Sequence, residues 1–232
     1  MRPASFRSFF RILTVIAVLS APLAAAAQDL KPIELPKPQI TGGMPLMQAL
    51  SARKTTREFG AEKLPLQTLS NLLWAAFGVN RAEMAGRTPK PGRTAPSAMN
   101  LQDIDLYVAF PEGVFLYEAV PHRLMPVIAK DVRALTNRSA AAGTAALCLI
   151  FVEDQDKRPA PPAGTPQAAA PRSTSGEVDA GFIGQNVYLF CASEGLNAWF
   201  YGTDREGLAK ALNLRPGQRA LYGQAVGYPK KK

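Results

Sequence analysis

Apolar residues fall into stretches of different period along this chain. Leu66, Leu69, Leu72, Leu73 and Ala76 recur at helical spacing, Pro65 suits a first turn and Gly78 suits a stop, so a helix is predicted there. A shorter helix is predicted over residues 44–53. Ile104–Phe110 alternates around Leu106 and Val108, residues 114–120 carry Phe115 and Tyr117, and Pro-Glu-Gly at 111–113 reads as the turn between two strands. Leu124, Val127, Ile128, Val132 and Leu135 then mark an amphipathic helix. Residues 145–152 (AALCLIFV) are almost continuously apolar, the pattern of a strand covered on both faces. Residues 178–195 are apolar on most sides and predict a central buried helix. Asp204 caps a short helix to Asn213, and residues 225–228 form a last strand fragment.

Polar, proline-rich segments separate these elements. Residues 28–43 (Pro32, Pro36, Pro38) read as an extended arm, residues 80–97 as a loop, and residues 153–175 as a loop able to cover a site. No internal repeat is visible. The mixture predicts an α+β domain over residues 44–232, with a small mixed sheet flanked by helices around the long central helix.

The first 27 residues follow another logic. Arg2, Arg7 and Arg11 precede an apolar stretch over residues 12–19, and Ala25-Ala26-Ala27 offers small residues for cleavage. The apolar run is short of the roughly 20 residues of a membrane span. A secretory signal peptide is expected, placing the mature chain in a bacterial periplasm with no stable span after cleavage.

Composition narrows the chemistry. Of 27 Lys+Arg, three lie in the leader, leaving 24 against 18 Asp+Glu. This moderate excess favours an anionic ligand, but no dense basic stripe points to nucleic acid. One histidine, His122, and two cysteines, Cys148 and Cys191, are too few for a zinc site. His122 is the one candidate base for a histidine-dependent triad. Both cysteines lie in apolar runs and read as small core residues. The chemistry is therefore expected to come from a cofactor.

Four segments could carry it. Arg53-Lys54-Thr55-Thr56-Arg57 packs three cations and two hydroxyls into five residues, a set able to hold a phosphate or equally to end a solvated helix. Arg93 to Gln102 offers small residues, hydroxyls and carboxamides, fit for a polar heterocycle or for an ordinary turn. Trp199, Phe200 and Tyr201 lead into Gly202, as core packing or as the wall of a site. The tail ends in Lys230-Lys231-Lys232.

Taken in order, these segments resemble the nitroreductase superfamily of FMN-dependent oxidoreductases, and more closely its azoline-oxidase branch (the SagB/ThcOx type). The resemblance rests on residues 53–57, Leu-Leu-Trp-Ala-Ala-x-Gly at 72–78, Arg-Thr-x-Pro-Ser-Ala-x-Asn at 93–100 and Gly-Val-Phe-Leu-Tyr at 113–117. It continues through Asp179-Ala180-Gly181, Gln185-Asn186, Glu194-Gly195-Leu196 and Val226-Gly227-Tyr228-Pro229. It implies a nitroreductase-like fold and an intertwined homodimer in which two subunits share each FMN site. Arg53, Lys54 and Thr55 would hold the flavin phosphate, and Arg57 would face the pyrimidine edge of the ring. Pro96, Ser97, Ala98 and Asn100 would approach from the partner subunit. The backbone of Phe200, Tyr201, Gly202 and Thr203 would pass the reactive side, and Lys231 or Lys232 would complete the phosphate cradle. The flavin would carry the redox chemistry, so no catalytic side chain is assigned. The implied activity moves electrons from a small-molecule donor to an acceptor such as a quinone or nitroaromatic. The alternative is a flavin-binding, degenerate member without fast turnover. Thr55 stands where serine is commoner, Ala98 lacks a hydroxyl common in the family, and residues 198–204 offer Tyr201 but no lysine for the azoline-oxidase lysine–tyrosine pair.

Overall fold

A computed structural model describes residues 30–81, 90–137, 139–159 and 175–231. The expected signal peptide, Lys232 and most of the expected covering loop fall outside these residues. In chain order the elements are β1 (Ile33–Glu34), α1 (Leu46–Ala52), α2 (Leu66–Phe77), β2 (Val79–Arg81), β3 (Gly92–Arg93), β4 (Ile104–Phe110), β5 (Gly113–Glu118) and β6 (Arg123–Ile128). There follow α3 (Ala140–Thr144), β7 (Leu147–Asp154), α4 (Ser175–Ser193), β8 (Asn197–Gly202), α5 (Arg205–Ala211) and β9 (Gln218–Gly227).

Seven strands form one sheet in the order β1-β6-β5-β4-β7-β9-β8. Every pairing is antiparallel, which corrects the expected mixed sheet. β7 lies near the middle and is buried along its whole length. Its alternate residues serve two cores: Leu147, Leu149 and Phe151 pack toward α2 and α4, while Cys148, Ile150 and Val152 pack toward α3 and α5. That two-sided cover explains the continuous apolar run, because neither face of the strand meets water. Both cysteines are free and buried.

Other expectations need correction. The predicted amphipathic helix at 124–135 is instead β6 followed by a short 3-10 turn, Arg133–Leu135. Pro126 was the discriminating signal: inside a helix it would cost about 3 kcal/mol, whereas here it pairs opposite Phe115 near the sheet edge. The expected loop at 80–97 is flanked by the small β2–β3 ladder. The last strand has 10 residues rather than a fragment, and residues 197–202 are a strand. α4 is not buried all round: Val178 and Phe182 are 52% and 45% exposed.

The arm is tied to its own chain. β1 pairs with β6, Gln67 donates to the Lys37 carbonyl, and Ser70 Oγ donates to the Pro36 carbonyl at 2.5 Å. That last bond fixes a polar chain. With its hydrogen committed to Pro36, Ser70 Oγ must accept from His122 Nε2, 2.7 Å away. His122 Nδ1 is then left to accept from the Tyr117 hydroxyl at 2.9 Å. The histidine is thereby a neutral structural tie between arm, α2 and β5, with no carboxylate bonded to it among the described residues. Burial lowers its pKa below the ordinary 6.5. On acidification the unfolded chain takes up this proton before the folded one, so stability present above about pH 6.5 should fall below it. His122→Gln should flatten this part of the curve, read as urea midpoints between about pH 5 and 7.5; an unchanged slope would remove the histidine from the pH dependence.

Candidate functional site

The cationic segment follows α1. Arg53 closes the helix through its N–H to the Ala49 carbonyl, and the β-branched Thr55 and Thr56 favour the extended course that follows. This strip lies along the outer edge of β8: Thr56 N–H donates to the Ala198 carbonyl at 3.0 Å, and the Asn197 side chain donates to the Glu58 carbonyl at 2.7 Å. The edge strand is thus covered rather than left open. The C-terminal tail joins it, since Gly60 N–H donates to the Tyr228 carbonyl at 2.9 Å.

Two aromatic rings seat the arginines. The Arg53 guanidinium lies 5.4 Å from the Tyr188 ring centroid, and that of Arg57 lies 5.1 Å from the Trp199 ring. Among the described residues, no carboxylate pairs with Arg53, Lys54 or Arg57. By contrast Arg123, Arg133, Arg158, Arg205, Arg215 and Arg219 each pair with an acid. Three cations within five residues without a carboxylate partner leave a local excess of positive charge that favours an anion.

Alternation along β8 sorts the aromatic trio. Trp199 and Tyr201 face one core, their rings 4.9 Å apart, and the Tyr201 hydroxyl bonds Thr136 Oγ1 at 2.7 Å. Phe200 points to the opposite face, against Phe151 and Tyr222. A Cβ on Gly184 of α4 would lie 2.7 Å from the Phe200 ring, so the close approach of helix and strand requires glycine there. The Tyr201 side chain is therefore packed into the core and leaves only its backbone near the strip. Gly202 is exposed, with no atom within 4 Å of where its Cβ would stand. Thr203 Oγ1 donates to the Leu221 carbonyl at 3.4 Å.

Among the described residues, no hydrogen bond joins the segment at 96–100 to this strip. It forms a short 3-10 turn, Ala98–Asn100, with left-handed backbone at Met99 (φ 51°), Asn100 (φ 54°) and Gln102 (φ 52°). Such conformations cost about 1 kcal/mol or more apiece in residues other than glycine and concentrate at ligand clamps. The turn is held from behind. Asp179 of α4 accepts the Ala98 N–H, Ser97 Oγ accepts the Gln102 N–H at 2.8 Å, and Asn100 donates to the Lys90 carbonyl. Arg93 donates to Gln102 and lies over the Phe77 ring. Burial raises the Asp179 pKa above the usual carboxylate value. The Ser97 and Asn100 side chains, expected as ligand contacts, thus shape the turn, while Met99 stands 81% exposed at its tip.

A profile of the nitroreductase family matches residues 50–228, well over half of the chain and both of these segments. The chain belongs to the nitroreductase family. It is an oxidoreductase of nitroreductase type. The crystal structure of a nitroreductase from Ralstonia eutropha JMP134 is similar at 38% identity and a TM-score of 0.78, covering 90% of this chain and 94% of that one. A protein of Methanocaldococcus jannaschii named as a nitroreductase is 28% identical over 158 residues, 65% of this chain and 75% of its own. The NADPH:FMN oxidoreductase of Vibrio harveyi complexed with NAD+ shares the fold at 18% identity and a TM-score of 0.55, over 80% of this chain and 69% of that one.

Within this nitroreductase frame the structure brings residues 53–57, Tyr188 and β8 together and leaves residues 96–100 apart. Lys231 pairs with Glu62 at 3.2 Å rather than with the arginines. Sequence reasoning missed Tyr188, whose partners Thr55 and Phe200 lie 133 and 12 residues away. A tyrosine inside an apolar helical run carries no signal of such contacts.

Proposed function

We propose that this protein is a periplasmic, homodimeric, FMN-dependent oxidoreductase that takes electrons from a reduced donor and delivers them to an electrophilic acceptor such as a quinone or nitroaromatic. The observation that carries the reading is the unpaired cationic strip of Arg53, Lys54 and Arg57 laid against β8. Its residues fit the cofactor. Arg53, Lys54 and Thr55 would hold the phosphate, and Arg57 would bring positive charge to the pyrimidine edge. Bound FMN would supply the two-electron chemistry. The chain supplies position and charge, and Gly202 is exposed, with open space where a side chain would start.

Two features support the shared site. The cavity beside the strip, lined by Lys54, Thr56, Tyr188 and Asn197, is about 260 Å³, below the usual 300–1,000 Å³ range of small-molecule sites, which accords with a site completed by a second chain. The clamp-like turn at 96–100 shares no hydrogen bond with its own strip among the described residues, and exposed Met99 follows Ala98, which is tied to Asp179 of α4 between exposed Val178 and Phe182. A second exposed apolar group, Leu46, Met47 and Leu50 of α1, accompanies the other end of α4. Pairing of two chains over these surfaces would bring the partner's turn to each strip. The signal-like leader supports export. The azoline-oxidase branch remains a likeness of motif order, and burial of the Tyr201 side chain argues against its use of a lysine–tyrosine pair.

The purified mature chain should show flavin absorbance, or gain it on adding FMN, reduce under anaerobic conditions and reoxidise with a quinone. It should sediment as a dimer, as an interface of about 2,000 Å² or more requires. A colourless protein that refuses FMN would sink the cofactor reading, and a monomer that binds FMN tightly would sink the shared site.

A further inference from the structure

The Tyr188 hydroxyl stands between two elements of the site. It accepts the Phe200 N–H of β8 at 2.9 Å and lies 2.9 Å from Thr55 Oγ1. A backbone N–H can only donate, so the phenol oxygen is an acceptor in the first bond. Its own hydrogen then needs an acceptor, and among the described residues Thr55 Oγ1 is the one partner it has. Were Thr55 to donate instead, the phenol hydrogen would have no acceptor among the described residues and would turn to solvent. The arrangement that uses each donor runs one way: Phe200 N–H to Tyr188 O–H to Thr55 Oγ1.

The direction has a chemical consequence. Thr55 Oγ1 receives a hydrogen bond from behind, so its own hydrogen is left to donate outward. Thr55 is exposed and flanked by Arg53 and Lys54, which have no carboxylate partner. An outward hydroxyl hydrogen suits an acceptor-only oxyanion, and polarisation along the chain strengthens that donation. The same ring seats the Arg53 guanidinium. Tyr188 thus touches both groups that would grip a phosphate and ties them to the strand that would pass the flavin ring.

We propose that Tyr188 is a positioning residue that turns the Thr55 hydroxyl hydrogen outward beside the seated Arg53, and so sets the preference of this site for a phosphorylated flavin over the same flavin without phosphate. The proposal rests on the FMN reading given above. The experiment measures affinity of the flavin-free chain for FMN and for riboflavin by quenching of flavin fluorescence. Tyr188→Phe should weaken FMN about five- to thirtyfold, part of the roughly 10- to 150-fold carried by a hydrogen bond to a charged group because the tyrosine acts through Thr55, and change riboflavin affinity less than about twofold. Thr55→Val, at an exposed position where folding is not at risk, should reproduce the loss, and Thr55→Ser should restore it. The double variant Tyr188→Phe/Thr55→Val should bind FMN no worse than either single one, since both act through one hydroxyl. Equal losses for FMN and riboflavin would make Tyr188 a structural residue only, and additive losses would break its route through Thr55. Should Tyr188→Phe not fold, an unchanged FMN-to-riboflavin ratio in Thr55→Val overturns the proposal alone. A wild-type chain that binds neither flavin would overturn the FMN reading itself, a separate result from a wild type that binds FMN while the variants are unaffected.

Discussion

Replacing Arg158 by methionine should destabilise the fold by about 3–5 kcal/mol, the usual consequence of leaving a buried carboxylate without its partner. Arg158 spans two fully buried acids, donating to Asp103 Oδ2 and to Glu153 Oε1, both at 2.6 Å. The two acids are not equally exposed to the loss. Glu153 keeps Arg219, at 2.7 Å. Among the described residues Asp103 has no second cation in contact, and its Oδ1 lacks a hydrogen-bond partner. The damage should therefore centre on Asp103, which directly follows the strained turn at 97–102. In a domain of about 200 residues this cost corresponds to roughly 6–20 °C in melting temperature. Adding Asp103→Leu to Arg158→Met should recover much of the loss, because removing both members of a buried pair is far cheaper than removing one. Denaturant midpoints of the single and double variants check this. A double variant no more stable than Arg158→Met would show that the arginine acts through packing alone.

Loss of Arg53 should have the largest effect on the cofactor. Arg53→Ala should weaken FMN by about 10- to 150-fold, the 1.5–3 kcal/mol typical of a hydrogen bond to a charged group. Lys54→Ala should cost less. The planar fork of Arg53 is half-buried and already seated on Tyr188, so little ordering is left to complete, whereas Lys54 is an exposed point charge on a flexible stem. Arg53→Lys should not restore binding, since an ammonium offers neither two parallel donors nor the flat stack on the ring. Titration of the flavin-free variants with FMN at two salt concentrations reads both contributions, the Lys54 share fading more at high salt. Undiminished affinity in Arg53→Ala would remove this arginine from the phosphate site and, with it, the main support for the cationic strip as cofactor cradle.

The sequence by itself determined the elements whose reasons are local. The α2 helix follows from its 3.6-residue apolar period between Pro65 and Gly78, β4 from alternation, and the two-sided burial of β7 from its unbroken apolar run. The order of motifs disclosed the family, later matched over residues 50–228. The cationic residues 53–57 were visible as a group because proximity in the chain suffices to bring like charges together.

Only the tertiary structure decided the rest, wherever the partner lies far along the chain. A helical period at Leu124, Val127 and Ile128 gave way to β6, because pairing with β5 and β1 outweighs a weak local spacing that Pro126 already opposed. Whether residues 53–57 were a solvated helix end or a built strip depended on β8 lying beneath them, more than 140 residues later. Phe200 and Tyr201 are neighbours of similar character, yet the pleat sends one toward α4 and the other into the opposite core. Tyr188 gains its role from Thr55 and Phe200 together, which no pattern within α4 records. Local sequence sets where the chain can be helix or strand; which side chains share a site is set by long-range packing, because a hydrogen bond depends on distance in space and not on separation along the chain.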